Sequence, residues 1–486
     1  MRLKIAARKS DLARLQAFLV GDALKAAHPK IHVSYEFRAS LGDLNQNDPL
    51  WKMPEKGVFT QDFYDDLVNG KCDMVVHSWK DLPIGDKPAT QISGTLKRAD
   101  LRDLLLVKKS HLEKVAASRR LQVLSSSPRR EYNLSGFLKA HWPNGLDRVL
   151  FEPVRGNVPT RVRKLIEGSL DALIVAKAAL DRLLSAPQDE FRETQAELRR
   201  HLELCDWMVL PLSENPSAAA QGALAIEIKR GRSDLEELLA EIHCPDTYRA
   251  VVKERETLAR YGGGCHQKIG VSILARPFGD VRFLKGLTDK GEVLDSIELT
   301  SRGGPAPKPE SLDRVFPLEP KQASWFERRP IAAARQDDKP LWVARADALP
   351  ADWSPRSLVW TAGLETWRKL AARGVWVNGS AEGLGESEPA RIETLAFGPV
   401  AWIKLSHDEG HPREGQEFVA TYRLEPKNDV PDLNGKTHFY WMSGSGFLRA
   451  VQHYPWLRNA NHFCGPGSTY AVIQQNLGPQ GRVFVS

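Results

Sequence analysis

Apolar and polar residues alternate with a period of two over residues 2–7, and apolar residues then recur at helical spacing at Leu12, Leu15 and Leu19. This change of period predicts a strand followed by a helix that Ser10 caps and that ends near His28-Pro29. Strands that alternate with helices indicate a largely parallel α/β architecture, in which ligands bind at the carboxyl ends of strands. The same rhythm predicts further strands at 31–37, 72–77, 121–126 and 171–176, and helices at 60–68, 157–167 and from Lys177.

The pattern changes near residue 233. Two helical stretches, 233–243 and 246–260, lead to a glycine-rich turn, and the segments 269–274 and 281–287 are typical of a small β-sheet domain. Residues 302–309 are rich in glycine and proline, which predicts a linker. A second α/β unit is expected beyond it, with strands at 341–344, 358–361, 400–405, 417–424, 438–442 and 482–485, and helices near 364–373, 445–453 and 468–477.

The composition is that of an ordinary globular protein, with 486 residues of which 42% are hydrophobic and 27% charged. A chain of this length predicts about three domains or more. No stretch approaches the ~20 apolar residues that span a bilayer, so a transmembrane protein is excluded. The N-terminal residues contain no apolar segment typical of a signal peptide. We therefore expect a cytoplasmic protein without a membrane partner.

Charge and cysteine content narrow the function further. The 68 Lys and Arg residues exceed the 61 Asp and Glu residues by a formal net charge of +7, but they form no run of five, so no nucleic-acid partner is expected. An odd number of widely spaced cysteines excludes a disulfide framework, and without a Cys-x-x-Cys pair no metal site is expected. The cysteines are Cys72, Cys205, Cys244, Cys265 and Cys464.

Lys80 and Asp81 follow the predicted strand 72–77, where α/β proteins place catalytic groups. Taken alone, the pair also suits a solvated turn before Pro83. Arginines stand at other strand ends and helix starts, where guanidinium groups and backbone N–H groups favour carboxylates or phosphates. Together they indicate a small ligand with several negative charges, although any one of them also suits an exposed surface. These arginines are Arg8, Arg129, Arg130, Arg155, Arg161 and Arg182.

Cys265 follows three glycines, Gly262 to Gly264. Glycines let the backbone adopt conformations that bring a thiol close to another surface. The thiol therefore suits a covalent nucleophile or an attachment point, or else a small buried side chain beside a turn.

Taken in order, these segments resemble the porphobilinogen deaminase (hydroxymethylbilane synthase) family over about residues 2–300. Each motif is short, but eight of them in collinear order are specific. The matching segments are Ala7-Arg8-Lys9-Ser10, Lys56-Gly57-Val58-Phe59, His77-Ser78-Trp79-Lys80-Asp81-Leu82-Pro83, Ser125-Ser126-Ser127-Pro128-Arg129-Arg130, Arg155-Gly156-Asn157-Val158-Pro159-Thr160-Arg161, Ala220-Gln221-Gly222-Ala223-Leu224, Glu254-Arg255 and Gly263-Gly264-Cys265.

The resemblance implies an α/β fold of two periplasmic-binding-protein-like domains, a small α+β domain that bears the cysteine, and a C-terminal α/β module. The expected boundaries are 1–98 with 203–230, 99–202, 231–302, a linker region at 303–339, and 340–486. A monomer is expected. The chain departs from the family pattern at Pro54-Glu55 and His266-Gln267-Lys268, which affects the loops rather than the principal ligands.

The resemblance also implies site residues. Cys265 would carry a covalent dipyrromethane cofactor, and Asp81 would assist loss of ammonia from porphobilinogen and stabilise the cationic intermediate. Cofactor carboxylates would be held by Lys80, Ser127, Arg129, Arg130, Arg155 and Arg161. Substrate or growing-chain carboxylates would be held by Arg8, Ser10 and Arg182, and Phe59 would also contact substrate.

The C-terminal part resembles the uroporphyrinogen-III synthase family more faintly, through Leu341 to Leu349, Val359 to Gly363, Ala420 to Leu424, Tyr440 to Ser445 and Cys464 to Tyr470. Tyr422 is its candidate catalytic residue. Three hypotheses follow: a bifunctional tetrapyrrole enzyme, a monofunctional deaminase with a structural or docking tail, and a non-catalytic two-lobed binding protein. Retention of both Asp81 and Cys265 argues against the third.

Overall fold

The computed structural model describes residues 1–39, 61–85, 87–263, 267–301, 306–319, 324–410 and 416–485. Phe59, Cys265 and the Pro54-Glu55 departure lie outside these residues. The chain divides into two compact units, each discontinuous in sequence. Unit 1 comprises Met1–Lys139, Leu146–Ala275 and Val281–Glu298, and unit 2 comprises Ala140–Gly145, Arg276–Asp280 and Leu299–Ser486. No helix among the described residues is both long enough and apolar enough to cross a membrane.

Strands and helices alternate through the first 301 residues, and the predicted elements are confirmed to within a few residues. The strands are β1 (Arg2–Arg8), β2 (His32–Arg38), β3 (Met74–Ser78), β4 (Thr90–Gly94), β5 (Asp103–Lys108), β6 (Arg120–Leu124), β7 (Arg148–Glu152), β8 (Ala172–Ala176), β9 (Cys205–Val209), β10 (Leu224–Lys229), β11 (Gly270–Arg276), β12 (Gly279–Leu287) and β13 (Val293–Ser301). The helices are α1 (Asp11–Ala27), α2 (Gln61–Val68), α3 (Leu112–Ser118), α4 (Pro128–His141), α5 (Val158–Glu167), α6 (Lys177–Leu184), α7 (Arg192–Glu203), α8 (Ser233–Ala240) and α9 (Pro245–Ala259).

These strands form two five-stranded sheets and one three-stranded sheet, in the orders β2-β1-β3-β10-β4, β7-β6-β8-β5-β9 and β11-β12-β13. Each five-stranded sheet is built on apolar strand residues that helices cover. In the first, Ile5 and Ile226 pack with Val20 and Leu24 of α1. In the second, every residue of β5 and β8 is buried. The carboxyl ends of the parallel strands therefore carry the loops that hold the candidate site residues.

The largely parallel architecture predicted from the sequence is wrong for these two sheets, which are mixed. β1 pairs in parallel with β2 and β3, but β10 is antiparallel to β3 and β4. Likewise β6 is parallel to β7 and β8, but β5 is antiparallel to β8 and β9. The chain leaves the first sheet after β4 and returns to it as β10. Such strands do not follow a local βαβ crossover, so nothing requires them to be parallel to their neighbours.

Unit 2 contains two further sheets, a four-stranded sheet β14-β21-β22-β23 and a six-stranded sheet β15-β20-β19-β16-β17-β18. Every pairing in them is parallel except β15 with β20. The strands are β14 (Val315–Phe316), β15 (Phe326–Pro330), β16 (Leu341–Val343), β17 (Val359–Thr361), β18 (Gly379–Ser380), β19 (Ile403–His407), β20 (Glu417–Pro426), β21 (His438–Trp441), β22 (Asn461–Cys464) and β23 (Arg482–Val485), with helices α10 (Leu364–Ala372), α11 (Gly444–His453) and α12 (Ser468–Gln475).

The interval 303–339, which the sequence predicts to be a linker, contains two of these strands. β14 pairs with β21 in the four-stranded sheet, and β15 pairs with β20 in the six-stranded sheet. The chain thus starts in one sheet, crosses to the other at β15 and returns at β21. A two-residue strand such as β14 carries no periodicity by which the sequence could reveal it.

Candidate active site

The turn that follows β3 presents Asp81 to solvent. Residues Trp79–Asp81 form one turn of 3₁₀ helix, in which Trp79 is buried and packs 5.3 Å from the Tyr248 ring. The Arg255 guanidinium donates to the carbonyls of Leu82, at 3.2 Å, and Pro83. The turn is therefore anchored on both sides, and the Asp81 side chain is exposed.

Lys80 lies in a different environment from its neighbour. Its Nζ donates to Gln221 Oε1 at 3.3 Å. Burial lowers the pKa of the Lys80 ammonium, and the nearby Asp81 carboxylate partly opposes that shift. Arg129, Arg130 and Asp103 also act on Lys80 electrostatically, so the structure brings the end of β3 close to the start of α4.

Arg129 and Arg130, in the first turn of α4, are both buried and share one carboxylate. Arg130 donates two hydrogen bonds to the Asp103 carboxylate, from Nε at 3.0 Å and from Nη2 at 2.7 Å. Arg129 Nη2 donates to the same carboxylate at 2.9 Å. Burial alone would raise the pKa of Asp103, but these two guanidinium groups hold it far below its usual range. The sequence predicts that both arginines lie at a ligand site, but it does not reveal that Asp103 is their partner within the protein.

Arg155 and Arg161 flank the start of α5. Asn157 caps this helix by accepting a hydrogen bond from Thr160 N at 2.9 Å, and Arg161 Nε donates to Gly156 O at 2.7 Å. Burial lowers the pKa of Arg161 to about 10, as do the neighbouring charges of Arg130 and Arg155, while Asp81 opposes the shift. Because these charges act on Arg161, the side chains of Arg155, Arg130 and Asp81 lie near it.

The remaining predicted ligands lie at other loops of unit 1. Arg8 ends β1, and Ser10 stands at the N-cap of α1, although its side chain does not make the capping hydrogen bond that the sequence suggests. Arg182 Nη2 donates to Gly222 O at 2.7 Å, and burial lowers its pKa to about 10. Ser127 is half-buried just before α4.

The described residues on either side of 264–266 lie against the site. A Cβ atom added to Gly263, whose φ is +59°, would lie 2.9 Å from Ile84 Cδ1, close beyond the Asp81 turn. A Cβ added to Gly270, at the start of β11, would meet Pro216 O and lie 3.1 Å from Arg129 Cδ. Gly270 requires glycine because a side chain would collide with the Pro216 backbone, and the positive φ of Gly263 favours glycine there.

Asp103, Asn215 and Gln221 complete this arrangement, and sequence reasoning assigned none of them a role. All three are fully buried or nearly so. The available signal was a lone acidic residue at the head of the apolar strand Asp103-Leu104-Leu105-Leu106-Val107, since a buried charge requires a partner. Among the described residues, no three His, Cys, Asp or Glu side chains are grouped so that they could hold a metal ion.

A second buried carboxylate, Glu227 on β10, supports the strand that leads into the site. It accepts from His77 Nε2 at 2.8 Å, Thr90 Oγ1 at 2.6 Å and Lys87 Nζ at 3.0 Å. Burial alone would raise the pKa of Glu227, but His77, Lys87 and Thr90 lower it to about 2. The ionised carboxylate therefore ties β3, β10 and β4 together.

Replacing Glu227 with glutamine should lower the free energy of unfolding by about 3 kcal/mol at neutral pH. The depressed pKa stabilises the fold fully above the unfolded-state value of 4.5, and this stabilisation is lost as the pH falls towards 2. Urea unfolding from about pH 6 down to about pH 3 should show the difference between the two proteins shrinking. The exposed Glu236→Gln variant is the control, and a difference that does not change with pH would contradict this account.

Unit 2 places Tyr422 on β20, where its side chain is 4% exposed. Burial raises the pKa of its phenol, and a hydrogen bond with Ser406 lowers it in part. In the same unit, loops that follow strands of the two sheets touch. A Cβ added to Gly467, after β22, would lie 3.3 Å from Gly385 Cα, after β18. The loops at the carboxyl ends of one strand from each sheet therefore lie close together, and α/β proteins bind ligands at such strand ends.

Comparisons with known proteins show which family the chain resembles. The family model "Porphobilinogen deaminase, dipyromethane cofactor binding domain" matches residues 3–237. A porphobilinogen deaminase from Chromobacterium violaceum is 33% identical over 335 residues, which cover 68% of this chain and 97% of that protein. One from Roseiflexus castenholzii is 33% identical over 317 residues, which cover 65% and 95%.

Among solved structures, the periplasmic sulfonate-binding protein SsuA from Methylobacillus flagellatus is 15% identical. The match covers 54% of this chain and 72% of that protein, with a TM-score of 0.27. Similarity at this level carries no argument about the fold.

Proposed function

The chain belongs to the porphobilinogen deaminase family, and from that premise we propose which of its residues perform each part of the reaction. It is a hydroxymethylbilane synthase, a transferase that joins porphobilinogen units head to tail on a covalent dipyrromethane cofactor, with loss of ammonia, and releases hydroxymethylbilane by hydrolysis. The observation that carries the proposal is the convergence of Lys80 and Asp81 with four arginines in unit 1.

Asp81 is the catalytic carboxylate. It is exposed on an anchored turn and lies near both Lys80 and Arg161, on which its charge acts. In its protonated form this carboxyl group can donate a proton to the departing amine, and the carboxylate that remains can stabilise the positive charge that develops on the pyrrole unit.

Lys80, Arg129, Arg130, Arg155 and Arg161 hold the carboxylates of the cofactor, together with the Ser127 hydroxyl. Five cations here face two acidic groups, Asp81 and Asp103, so the site carries an excess of positive charge. Forked guanidinium donors suit carboxylates well. The dipyrromethane supplies the pyrrole position to which the first substrate unit is joined. These residues orient it and exclude water from its acidic side chains.

Arg8, Ser10 and Arg182 bind the acetate and propionate groups of porphobilinogen or of the growing chain, and Phe59 also contacts the substrate. Arg8 ends β1 and Ser10 follows it, and β1 neighbours β3 in the first sheet. Arg182 donates to Gly222 O, and Gly222 is next in sequence to Gln221, the hydrogen-bond partner of Lys80. Burial makes a guanidinium a stronger partner for a carboxylate because less water competes for its N–H groups.

Cys265 is the attachment point of the cofactor. The glycine positions that flank residues 264–266 favour this assignment, because Gly263 packs on Ile84 and Gly270 packs beside Arg129. We also propose the domain boundaries 1–98 with 203–230, 99–202 and 231–302, where the first two domains resemble periplasmic binding proteins and the third bears the cysteine. The proposed C-terminal module also includes β14 and β15.

We propose further that unit 2 is a uroporphyrinogen-III synthase, which closes hydroxymethylbilane to the asymmetric isomer. Support comes from its two largely parallel sheets, the double crossing of the chain between them, and the close approach of the loops at Gly385 and Gly467. Tyr422 is the candidate catalytic residue of this unit, and its side chain is buried.

A monofunctional deaminase with a structural tail is the second candidate, and the loop after β18 favours it. In this loop Glu386 forms an ion pair with Lys404 at 2.8 Å, and Glu388 forms one with Arg276 of β11. Acidic residues are poorly suited to face a substrate that carries many carboxylates.

Incubation of the intact chain with porphobilinogen should yield uroporphyrinogen III. Hydroxymethylbilane that is released without a synthase closes by itself to the symmetric isomer I, so chromatography of the two oxidised isomers distinguishes the candidates. A Cys265→Ser chain, supplied with hydroxymethylbilane directly, should still give isomer III, since unit 2 is unaltered. Formation of isomer I alone from both proteins would establish the monofunctional deaminase.

A further inference from the structure

Asp103 is a buried carboxylate at the head of β5 to which none of the roles above is assigned. Its side chain is 0% exposed and accepts five hydrogen bonds from side chains. Besides the three from Arg129 and Arg130, Asn215 Nδ2 and Gln221 Nε2 each donate at 2.9 Å. A carboxylate offers about four lone-pair sites, so these donors saturate it. Asp103 therefore acts through its neighbours rather than by touching a ligand.

The charge of Asp103 is what permits two adjacent arginines to be buried. Burial of an unpaired guanidinium is costly, and two of them repel each other. Arg130 meets the carboxylate with two parallel N–H groups, which fixes the plane of its guanidinium as well as its position. Each guanidinium has five N–H donors. Asp103 and its neighbours engage three on each in the described part of the chain.

Two amide side chains, Asn215 and Gln221, link Asp103 to Arg129 and Lys80 by further hydrogen bonds. Asn215 donates to Asp103 and accepts from Arg129 Nη1 at 2.8 Å. Gln221 donates to Asp103 through Nε2 and accepts from Lys80 Nζ at 3.3 Å through Oε1. Since the Gln221 amide can present its oxygen to Lys80 only while its nitrogen faces Asp103, the ionised carboxylate also orients the Lys80 ammonium.

We propose that Asp103 is a positioning residue, which aims the donors of Arg129, Arg130 and Lys80 at the carboxylates of the cofactor. This inference rests on the proposed role of those three cations. The competing account is that Asp103 merely stabilises the fold. The positioning account and the structural account predict different effects of cofactor attachment on stability. A ligand that binds an aligned site makes the folded state more stable than it is with the site empty.

The test compares thermal unfolding with and without the cofactor. Each protein is prepared as the holoenzyme and as its Cys265→Ser counterpart, with loading checked by intact mass. Attachment should raise the Tm of the native sequence. In Asp103→Asn we expect at least half of that increase to disappear, because the arginines are no longer aligned, whereas a merely structural role would lower both Tm values equally.

Asp171→Asn is the matched control. Asp171 lies beside the same sheet, is also 0% exposed, and accepts from His111 Nδ1 at 2.8 Å, Lys114 Nζ at 2.8 Å and Gln122 N at 2.9 Å. It should lose stability in both forms and keep the full increase on cofactor attachment. If Asp103→Asn behaves in the same way, the inference is overturned.

Kinetics give a second readout. Because the cofactor is covalent, its misalignment should lower kcat at least ~10-fold while KM for porphobilinogen changes less than about threefold. Should Asp103→Asn fail to fold, Asn215→Ala is the alternative, because it keeps the charge of Asp103 and loosens Arg129 alone. It should lower kcat by a smaller factor, again with little change in KM. Arg130→Gln tests the premise, because it removes the guanidinium charge and leaves Asp103 in place: unchanged stabilisation by the cofactor there would refute the proposed role of Arg130 itself.

Discussion

Replacing Asp81 with alanine will leave a folded protein that retains its cofactor but turns over porphobilinogen at least ~10²-fold more slowly. The carboxylate has two functions in the proposed reaction, proton transfer and stabilisation of a developing cation, and alanine removes both. The surrounding fold should tolerate the change, because the Asp81 side chain is exposed and the turn is held by Trp79 and Arg255. Steady-state release of hydroxymethylbilane measures the loss, and intact mass verifies the cofactor.

Two further variants make this result specific. Asp147→Ala removes another exposed carboxylate of unit 1, which is paired with Arg119 at 2.9 Å, and its rate should equal that of the native protein. Asp81→Asn keeps the size of the side chain and removes only its charge, so it should be nearly as slow as the alanine variant. Near-normal turnover by Asp81→Asn would refute the catalytic assignment.

Replacing Cys265 with serine will abolish both the covalent cofactor and the deaminase activity. The mass of the purified native chain should exceed the sequence mass by one dipyrromethane, and the variant should lack this increment. The other cysteines, all of which the structure describes, are poor substitutes. Burial raises the thiol pKa of Cys72 to about 11 and those of Cys205 and Cys464 to about 12, and the protonated thiol is a weak nucleophile.

Cys244 is only half-buried and provides the control for this experiment. Cys244→Ser should carry the same mass increment as the native chain and show the same activity. An unmodified native protein with full activity, or an increment that persists in Cys265→Ser and disappears in Cys244→Ser, would show that the attachment point is elsewhere.

Much of the secondary structure was accessible from the sequence because it depends on short-range periodicity. The helix predicted from Lys177 is α6 (Lys177–Leu184), and the strand predicted at 482–485 is β23 (Arg482–Val485). Apolar residues repeat at the period of each element, so local order alone indicates its type. Collinear motifs likewise identified the family and the ionisable residues near its site.

The internal partners of those residues were not accessible in this way. Asp103 is separated from Asn215 by 112 positions and from Gln221 by 118, and Lys80 from Gln221 by 141. No local pattern links residues at such distances, because the hydrogen bonds exist only after the chain has passed between the two five-stranded sheets and returned. The sequence therefore indicated candidate cations for the site, but not the buried carboxylate with which Arg129 and Arg130 are paired.

The sequence by itself determined the succession of strands and helices, the family, and a set of candidate ligands. Only the tertiary structure decided that β10 is antiparallel to β3 and that β14 and β15 belong to the sheets of unit 2 rather than to a linker. The physical reason is the range of the forces involved. Periodic burial acts within one element, whereas strand direction and the pairing of buried charges depend on which distant segments meet.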